Sequence, residues 1–278
     1  MAEPNKSNSF GDIAVTWVSN FLRKIFSKQN KKKQKRNIDT VQIKKSEILF
    51  RNEQWFSFMG NLYRNTVEIP SALKNFKIDP SDTILDVGAG SGRFTREFKK
   101  ITPEVLAADI SVESLKTNRT ISRSQVVVCD ICYLPFKSSV FDKVAAISVL
   151  QHLPPKDRKK AVLELKRILK ENSEIIIEVF NYRLFPDMLK KNGKEGFFRT
   201  HPPLYFYRFN ASEFKSFIRS FFSETKDFRC MLFFQMFMSG KLGEKPCIVK
   251  MVATLEAFIE KTMFSRVFGD RIIVVCNK

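Results

Sequence analysis

The chain has 278 residues, 44% of them hydrophobic. That is enough for one large domain or two small ones with a real core, and it excludes a wholly disordered chain. Two histidines exclude a multi-histidine metal site, and five cysteines are too few for a disulfide scaffold. Lys and Arg number 48 against 29 acids, net +19, a balance that favours an anionic partner: nucleic acid, an anionic membrane surface or an acidic substrate.

No apolar run reaches the roughly 18–20 residues of a membrane-spanning helix. The start, Met1 to Gly11, is polar, so no secretory leader is expected. A cytoplasmic protein, with peripheral membrane association as a further expectation, follows from these features together. The charge is uneven: ten basic residues and one acid, Asp39, lie between Arg23 and Lys45.

Ile13 to Phe26 places Ala14, Trp17, Val18, Phe21, Leu22, Ile25 and Phe26 at helical spacing, and Lys28 to Arg36 follows as a polybasic run. This pairing suits either an anionic membrane surface or RNA as partner through residues 13–45, or a short docked helix with a solvated tail. Ser46 to Leu73 reads as helical, with Trp55, Phe56, Phe58, Met59, Leu62 and Tyr63 as anchors. From Thr83 onward β-rich runs (83–88, 104–109, 125–129, 141–148, 173–180) alternate with helical ones (92–100, 112–121, 155–170, 211–221). That alternation predicts a parallel, three-layer α/β sheet. Beyond Asn181 the pattern predicts a polar loop or cap over 187–200 and a rigid turn at His201–Pro203. A buried strand is predicted over Met231–Met238, an amphipathic helix over Val249–Phe264 and a last strand over Arg271–Cys276.

The segment that carries chemistry is Ile84-Leu85-Asp86-Val87-Gly88-Ala89-Gly90-Ser91-Gly92. An apolar strand ends in an acid, turns through G-x-G-x-G and opens a helix. Glycines suit a turn with unusual dihedrals and close backbone approach to a ligand. Alone the loop is weak, since dinucleotide enzymes use a similar one. Its company in chain order adds weight: Asp109 closes the second strand, Cys129-Asp130-Ile131 follows the third, then come Leu134-Pro135-Phe136, Phe141-Asp142-Lys143-Val144 and Ser148-Val149-Leu150-Gln151-His152-Leu153.

On these motifs the chain, over roughly Asp82 to Asn181, resembles the class I S-adenosylmethionine-dependent methyltransferases. The resemblance implies a three-layer Rossmann-like methyltransferase fold with a mostly parallel sheet and an antiparallel last strand. It implies S-adenosyl-L-methionine as cofactor, held by Asp86, Gly88, Gly90, Gly92, Asp109, Ile110, Asp130, Ile131 and Val149. In the family the acid at Asp109 holds the ribose hydroxyls, the acid at Asp130 meets the adenine amino group, and the residue after it packs on the ring. Where relatives carry a Pro-Gly-Gly turn this chain has Lys170-Glu171-Asn172-Ser173, and Asn172 can supply the left-handed residue.

His152, at the end of the fourth strand, is the candidate general base, or else it shapes the pocket. Gln151, Asn181 and Tyr182 are candidate substrate contacts. Cys129 and Cys132 form a single C-x-x-C pair around Asp130, a poor zinc signal, so no structural metal is expected. Tyr205, Phe206, Tyr207 and Phe209, with Arg208, could stack on a base or a lipid-like ring, or pack a cap onto the sheet.

The domain layout expected is a basic amphipathic extension, 1–45, and a methyltransferase domain, 46–278. That domain divides into a helical cover (46–80), a cofactor-binding core (81–181) and a substrate cap with the last strands (182–278). The reaction expected is methyl transfer to a small or lipid-linked acceptor. The alternative is a transfer-RNA methyltransferase acting on a modified wobble uridine, which Val149 to Leu169 also resembles. That group carries paired histidines where this chain has Gln151-His152.

Overall fold

A computed structural model describes residues 40–53, 61–182, 194–266 and 268–278. The amphipathic segment 13–26, the polybasic run after it, and Trp55, Phe56, Phe58 and Met59 lie outside them.

The sheet has seven strands in the order β3-β2-β1-β4-β5-β9-β8. They are β1 (Ile84–Val87), β2 (Val105–Asp109), β3 (Gln125–Val128), β4 (Phe141–Ile147), β5 (Leu169–Phe180), β8 (Glu224–Met231) and β9 (Arg271–Asn277). The first five pair in parallel, whereas β9 runs antiparallel to both β5 and β8. The expected α/β architecture with an antiparallel last strand is therefore what forms. A separate two-stranded ribbon pairs β6 (Glu195–Phe197) with β7 (Tyr205–Tyr207).

Both sheet faces are covered, so the central strands read as unbroken apolar runs. Side chains alternate between two cores. Leu85, Val87, Val144, Ala146, Ile175, Ile177, Ile272 and Val274 face one. Against them pack α5 (Pro155–Ile168), through Ala161, Val162, Leu165 and Ile168, and α6 (Ala211–Arg219), through Phe214 and Ile218. Ile84, Ala145, Ile147, Ile176, Ile273 and Val275 face the other, under Tyr63, Val67 and Ala72 of α2 (Leu62–Leu73), Phe98 of α3 (Thr95–Lys99) and Val249 of α8 (Pro246–Ile259). Helix α4 (Val112–Ser122) is capped by the Ser111 hydroxyl, which accepts from the Ser114 amide, and closes on Arg123 at φ +57°.

Several boundaries differ from expectation. Helix α1 (Thr40–Glu53) begins before residue 46 and buries Ile43 and Phe50, so its first turns run across the expected extension boundary. The helix expected over 92–100 is regular only at Thr95–Lys99, and β5 begins at Leu169 rather than 173. Asn172 does take the left-handed conformation, φ +59°.

Met231–Met238 is not a strand. Strand β8 stops at Met231, Leu232 turns at φ +60°, and Gln235–Met238 forms a short helix, α7. The cause lies elsewhere in the chain. The buried carboxylate of Glu256 accepts the amides of Phe233 (3.1 Å) and Phe234 (2.9 Å), donors that a strand would have spent on its ladder.

Candidate cofactor and acceptor cavity

The parallel strands end together, and above their carboxyl ends lies a cavity of about 500 Å³. Such a crevice is where ligands bind open α/β sheets. Of the expected site residues, Asp86, Gly88, Gly90, Asp109, Ile110, Asp130, Ile131, Val149 and His152 line it.

The glycine loop is built for close approach. Gly88 (φ +68°) faces Val149, and a Cβ there would come within 2.2 Å of Val149 Cγ2. Gly90 (φ +53°) has nothing within 4 Å of where a Cβ would stand, so its backbone is open on that side. Gly92 (φ +91°) instead lies against Asn118, whose Cγ is 2.9 Å from the Cβ position, and does not line the cavity. Its role is to let α4 dock on the loop. Asn118 completes that contact by donating to Gly90 O (3.2 Å) and Thr95 Oγ1 (3.0 Å).

Asp109 anchors the loop from the next strand. Its Oδ2 accepts the Gly90 amide and its Oδ1 the Ser111 amide, each at 2.8 Å. Burial raises its pKa, opposed by those two amides. Each oxygen keeps a lone pair for a further donor. Asp86 is also buried and accepts the Thr95 hydroxyl at 2.6 Å. Burial, the largest effect, pushes its carboxyl up to about 7. Asp130 holds the Cys132 amide (2.9 Å) on Oδ1 and the Lys44 ammonium (2.6 Å) on Oδ2. Burial would raise this group too, but Lys44 and Cys132 outweigh it and keep its pKa low. The neighbouring Cys129 and Cys132 stay thiols, pushed up by burial to about 11 and about 12.

His152 sits in a short 3₁₀ turn after β4, buried, with its ring edge-on to Phe180. Its Nδ1 is 2.8 Å from the carbonyl oxygen of Tyr205. A carbonyl can only accept, so Nδ1 carries the proton and Nε2 is the basic nitrogen. Burial drops its pKa to about 4, so the ring is neutral at pH 7.

Three expected substrate contacts do not line the cavity. Gln151 is fully buried and outside the lining, and its amide atoms have no hydrogen-bond partner among the described residues. Asn181 is a bracket: its Nδ2 donates to Gly269 O at 2.9 Å and reaches Cys230 Sγ at 3.6 Å, tying β5 to the β8–β9 edge. Tyr182 donates its amide to Phe209 O and is likewise outside the lining. The aromatic run after His201 is mostly packing. Tyr205 accepts from Arg158 and donates to Glu195, and Arg158 stacks on Tyr207 at 3.8 Å.

Much of the wall comes from residues that no local motif marks. Lys44, Glu47, Phe50 and Arg51 come from α1, Arg64 from α2, Arg93 from the loop, and Phe198, Thr200 and Leu204 from the ribbon. Arg271 opens β9. Behind this wall Glu68, fully buried, pairs with Arg64 (2.8 Å) and Arg93. Burial would raise the Glu68 carboxyl, but the two guanidiniums hold it down at about 2. Arg271 Nε meets Glu178 at 3.0 Å, and Ser148 Oγ donates to the same carboxylate at 2.7 Å. Removing one member of such a buried set strands the charge of the other, so the cluster fixes α2 and β9 as walls.

A seven-stranded sheet of this order, a glycine turn after β1 and carboxylates at the ends of β1 and β2 define the class I methyltransferase core. Residues 85–177 match the family model described as a methyltransferase domain.

Curated relatives are similar over somewhat longer stretches. An uncharacterized protein of Methanocaldococcus jannaschii is 33% identical over 151 residues, 53% of this chain and 61% of its own length. The ubiquinone/menaquinone biosynthesis C-methyltransferase of Vibrio vulnificus is 30% identical over 132 residues, 42% of this chain and 50% of the relative. The Bos taurus protein named "Probable tRNA methyltransferase 9B" is 28% identical over 102 residues, 36% and 22%. The chain thus spans about three fifths or less of the length of these relatives.

The cofactor of the class is S-adenosylmethionine, and the cavity fits it. The open side of Gly90 gives a cradle, and the lone pairs left on Asp109 suit vicinal hydroxyls.

Proposed function

We propose that this chain transfers the methyl group of S-adenosylmethionine to a small or lipid-linked acceptor. The observation that carries this reading is the continuity of one cavity. It runs from Gly90 and Asp109 to a compartment walled by His152, Phe180, Phe198 and Leu204, a largely apolar lining that suits a small or lipid-linked acceptor.

The cofactor supplies a methyl group activated by the adjoining sulfonium. The chain's own residues then have three tasks. The loop and Asp109 fix position, which is where most of the rate of such a displacement comes from. The aromatic wall and the ribbon keep water out. His152 Nε2, neutral and held in one tautomer by Tyr205, is placed to take a proton from an oxygen, nitrogen or carbon acid. Its low basicity matches an acceptor that loses its proton late, as the bond to carbon forms.

The test is to incubate the protein with methyl-labelled cofactor and a cell extract divided into RNA, protein, lipid and small-molecule fractions. Label in the lipid or small-molecule fraction is expected. Label confined to RNA would contradict the proposal and favour the transfer-RNA reading, in line with the similarity to the bovine relative named as a probable tRNA methyltransferase.

A further inference from the structure

We infer that the excursion between β8 and β9 is a docking surface for an anionic lipid bilayer. Chain segment 232–270 leaves the sheet at Met231 and returns at Arg271, and both residues sit in register at the cavity end beside Phe180. Within it, apolar side chains stand out into solvent: Phe237, Met251, Leu255, Phe258, Met263 and Phe264. Met251, Phe258 and Met263 are 68%, 67% and 77% exposed. Met251, Leu255 and Phe258 recur at four- and three-residue spacing, so they share the outer face of α8 while Val249 faces the core. A concentration of exposed large apolar residues of this kind marks an interaction surface.

Charge says what it meets. Lys241, Lys245, Lys250, Lys261 and Arg266 are all exposed around the apolar residues. Of the four acids of the same stretch, Glu244 alone is exposed; Asp270 pairs with Arg271, and the others are held by neighbours. Glu256 is buried on Tyr63 and the Phe233 and Phe234 amides, Glu260 lies 3.9 Å from Arg229, and Glu244 accepts the Leu62 amide at 3.4 Å. Outward, the face is apolar with a purely cationic fringe apart from Glu244. Phenylalanine, methionine and leucine inserted at headgroup depth, with lysines at the rim, is the arrangement of an interfacial helix on anionic lipid. A protein partner of ordinary surface would not ask for every exposed ion but one to be positive.

The surface also has a use. Phe264 stands seven residues, and Phe268 three, before Arg271, a residue of the cavity wall. Docking there sets the cavity end of the sheet next to the bilayer, where a lipid-linked acceptor resides. That purpose rests on the reading under Proposed function; the docking itself does not, and its test needs no turnover.

The full chain is sedimented with phosphatidylcholine vesicles with and without phosphatidylserine, beside the variant Met251→Ser/Leu255→Ser/Phe258→Ser. The wild type should bind the phosphatidylserine vesicles, be released by salt, and bind the neutral ones weakly. The variant should bind at least about tenfold less with unchanged melting temperature and cofactor affinity, because all three side chains face solvent. Binding that is equal in wild type and variant would overturn the inference, as would a wild type that stays in the supernatant. A wild-type dimer in sedimentation velocity that the substitutions dissolve would assign the face to a second copy instead.

Discussion

Lys44 in α1 and Asp130 after β3 form an ion pair at 2.6 Å across 86 positions of sequence, and Asp157 holds the same ammonium at 2.8 Å. One cation thus clasps the helix over the cavity to the segment that carries an expected cofactor contact. The clasp is partly exposed, so its direct energy is modest, on the order of 1 kcal/mol. Its geometric effect is larger, because it fixes where α1 lies.

Replacing Lys44 with methionine should leave the core intact and free α1. Amide hydrogen exchange over residues 40–53 is expected to quicken markedly while β1 and β4 stay protected. Cofactor affinity should fall several-fold. Unchanged exchange in α1 would show that Ile43 and Phe50 hold the helix without the clasp.

Two glycines two residues apart should respond differently to alanine. At Gly88 the new methyl meets Val149 at 2.2 Å on a backbone with φ +68°. Gly88→Ala is expected to lower the melting temperature, by the equivalent of about 2–3 kcal/mol for overpacking and strain together. At Gly90 the methyl meets nothing, and the cost is only that of a left-handed alanine, about 1 kcal/mol. Gly90→Ala should nevertheless bind cofactor at least about tenfold more weakly, since the methyl projects into the space left for it. Thermal denaturation and calorimetry on the pair check both halves.

Stability should fall as pH rises towards neutrality. Asp86 titrates near about 7 in the folded chain and Glu178 is raised as well, chiefly because both are buried, although Arg271 opposes the rise at Glu178. Between roughly pH 4 and pH 7 the folded state therefore binds more protons than the unfolded one, and their contribution is lost as pH rises through about 7. His152 acts with the opposite sign: its pKa is depressed to about 4, so its contribution is present above about 6.5 and lost as pH falls towards 4. The two carboxyls outnumber the one imidazole. In Asp86→Asn the decline in melting temperature between about pH 5 and pH 8 should be shallower than in the wild type. A cationic ligand prefers the ionised Asp86, so cofactor affinity should climb through about pH 7 in the wild type and stay flatter in the variant. Parallel pH profiles for the two proteins would contradict the assignment.

The half of the site that lies in one stretch of sequence was readable from it. Asp86, Gly88, Gly90, Asp109 and Asp130 each close a strand or make a turn, so local pattern and order place them together. Gly92 packs against Asn118 outside the cavity lining, and in sequence a glycine that serves helix packing looks like one that serves a ligand. Asn181 stands at a strand end as its position implies, but its amide is spent on Gly269, 88 residues later, which no local pattern reveals. Lys44, Arg64, Phe198 and Arg271 could not be read at all, since each reaches the cavity only through long-range packing. The strand expected over Met231–Met238 failed because Glu256, a residue on another element, takes the amides that a ladder requires.

The most direct test is a calorimetric titration of S-adenosylmethionine into the wild type and Asp109→Ala. One site on the wild type is expected. The variant should bind roughly 10–100-fold more weakly, the loss of hydrogen bonds to a charged acceptor, and still unfold cooperatively. A wild type that does not bind, or a variant that binds as tightly, would contradict the assignment of this cavity to the cofactor.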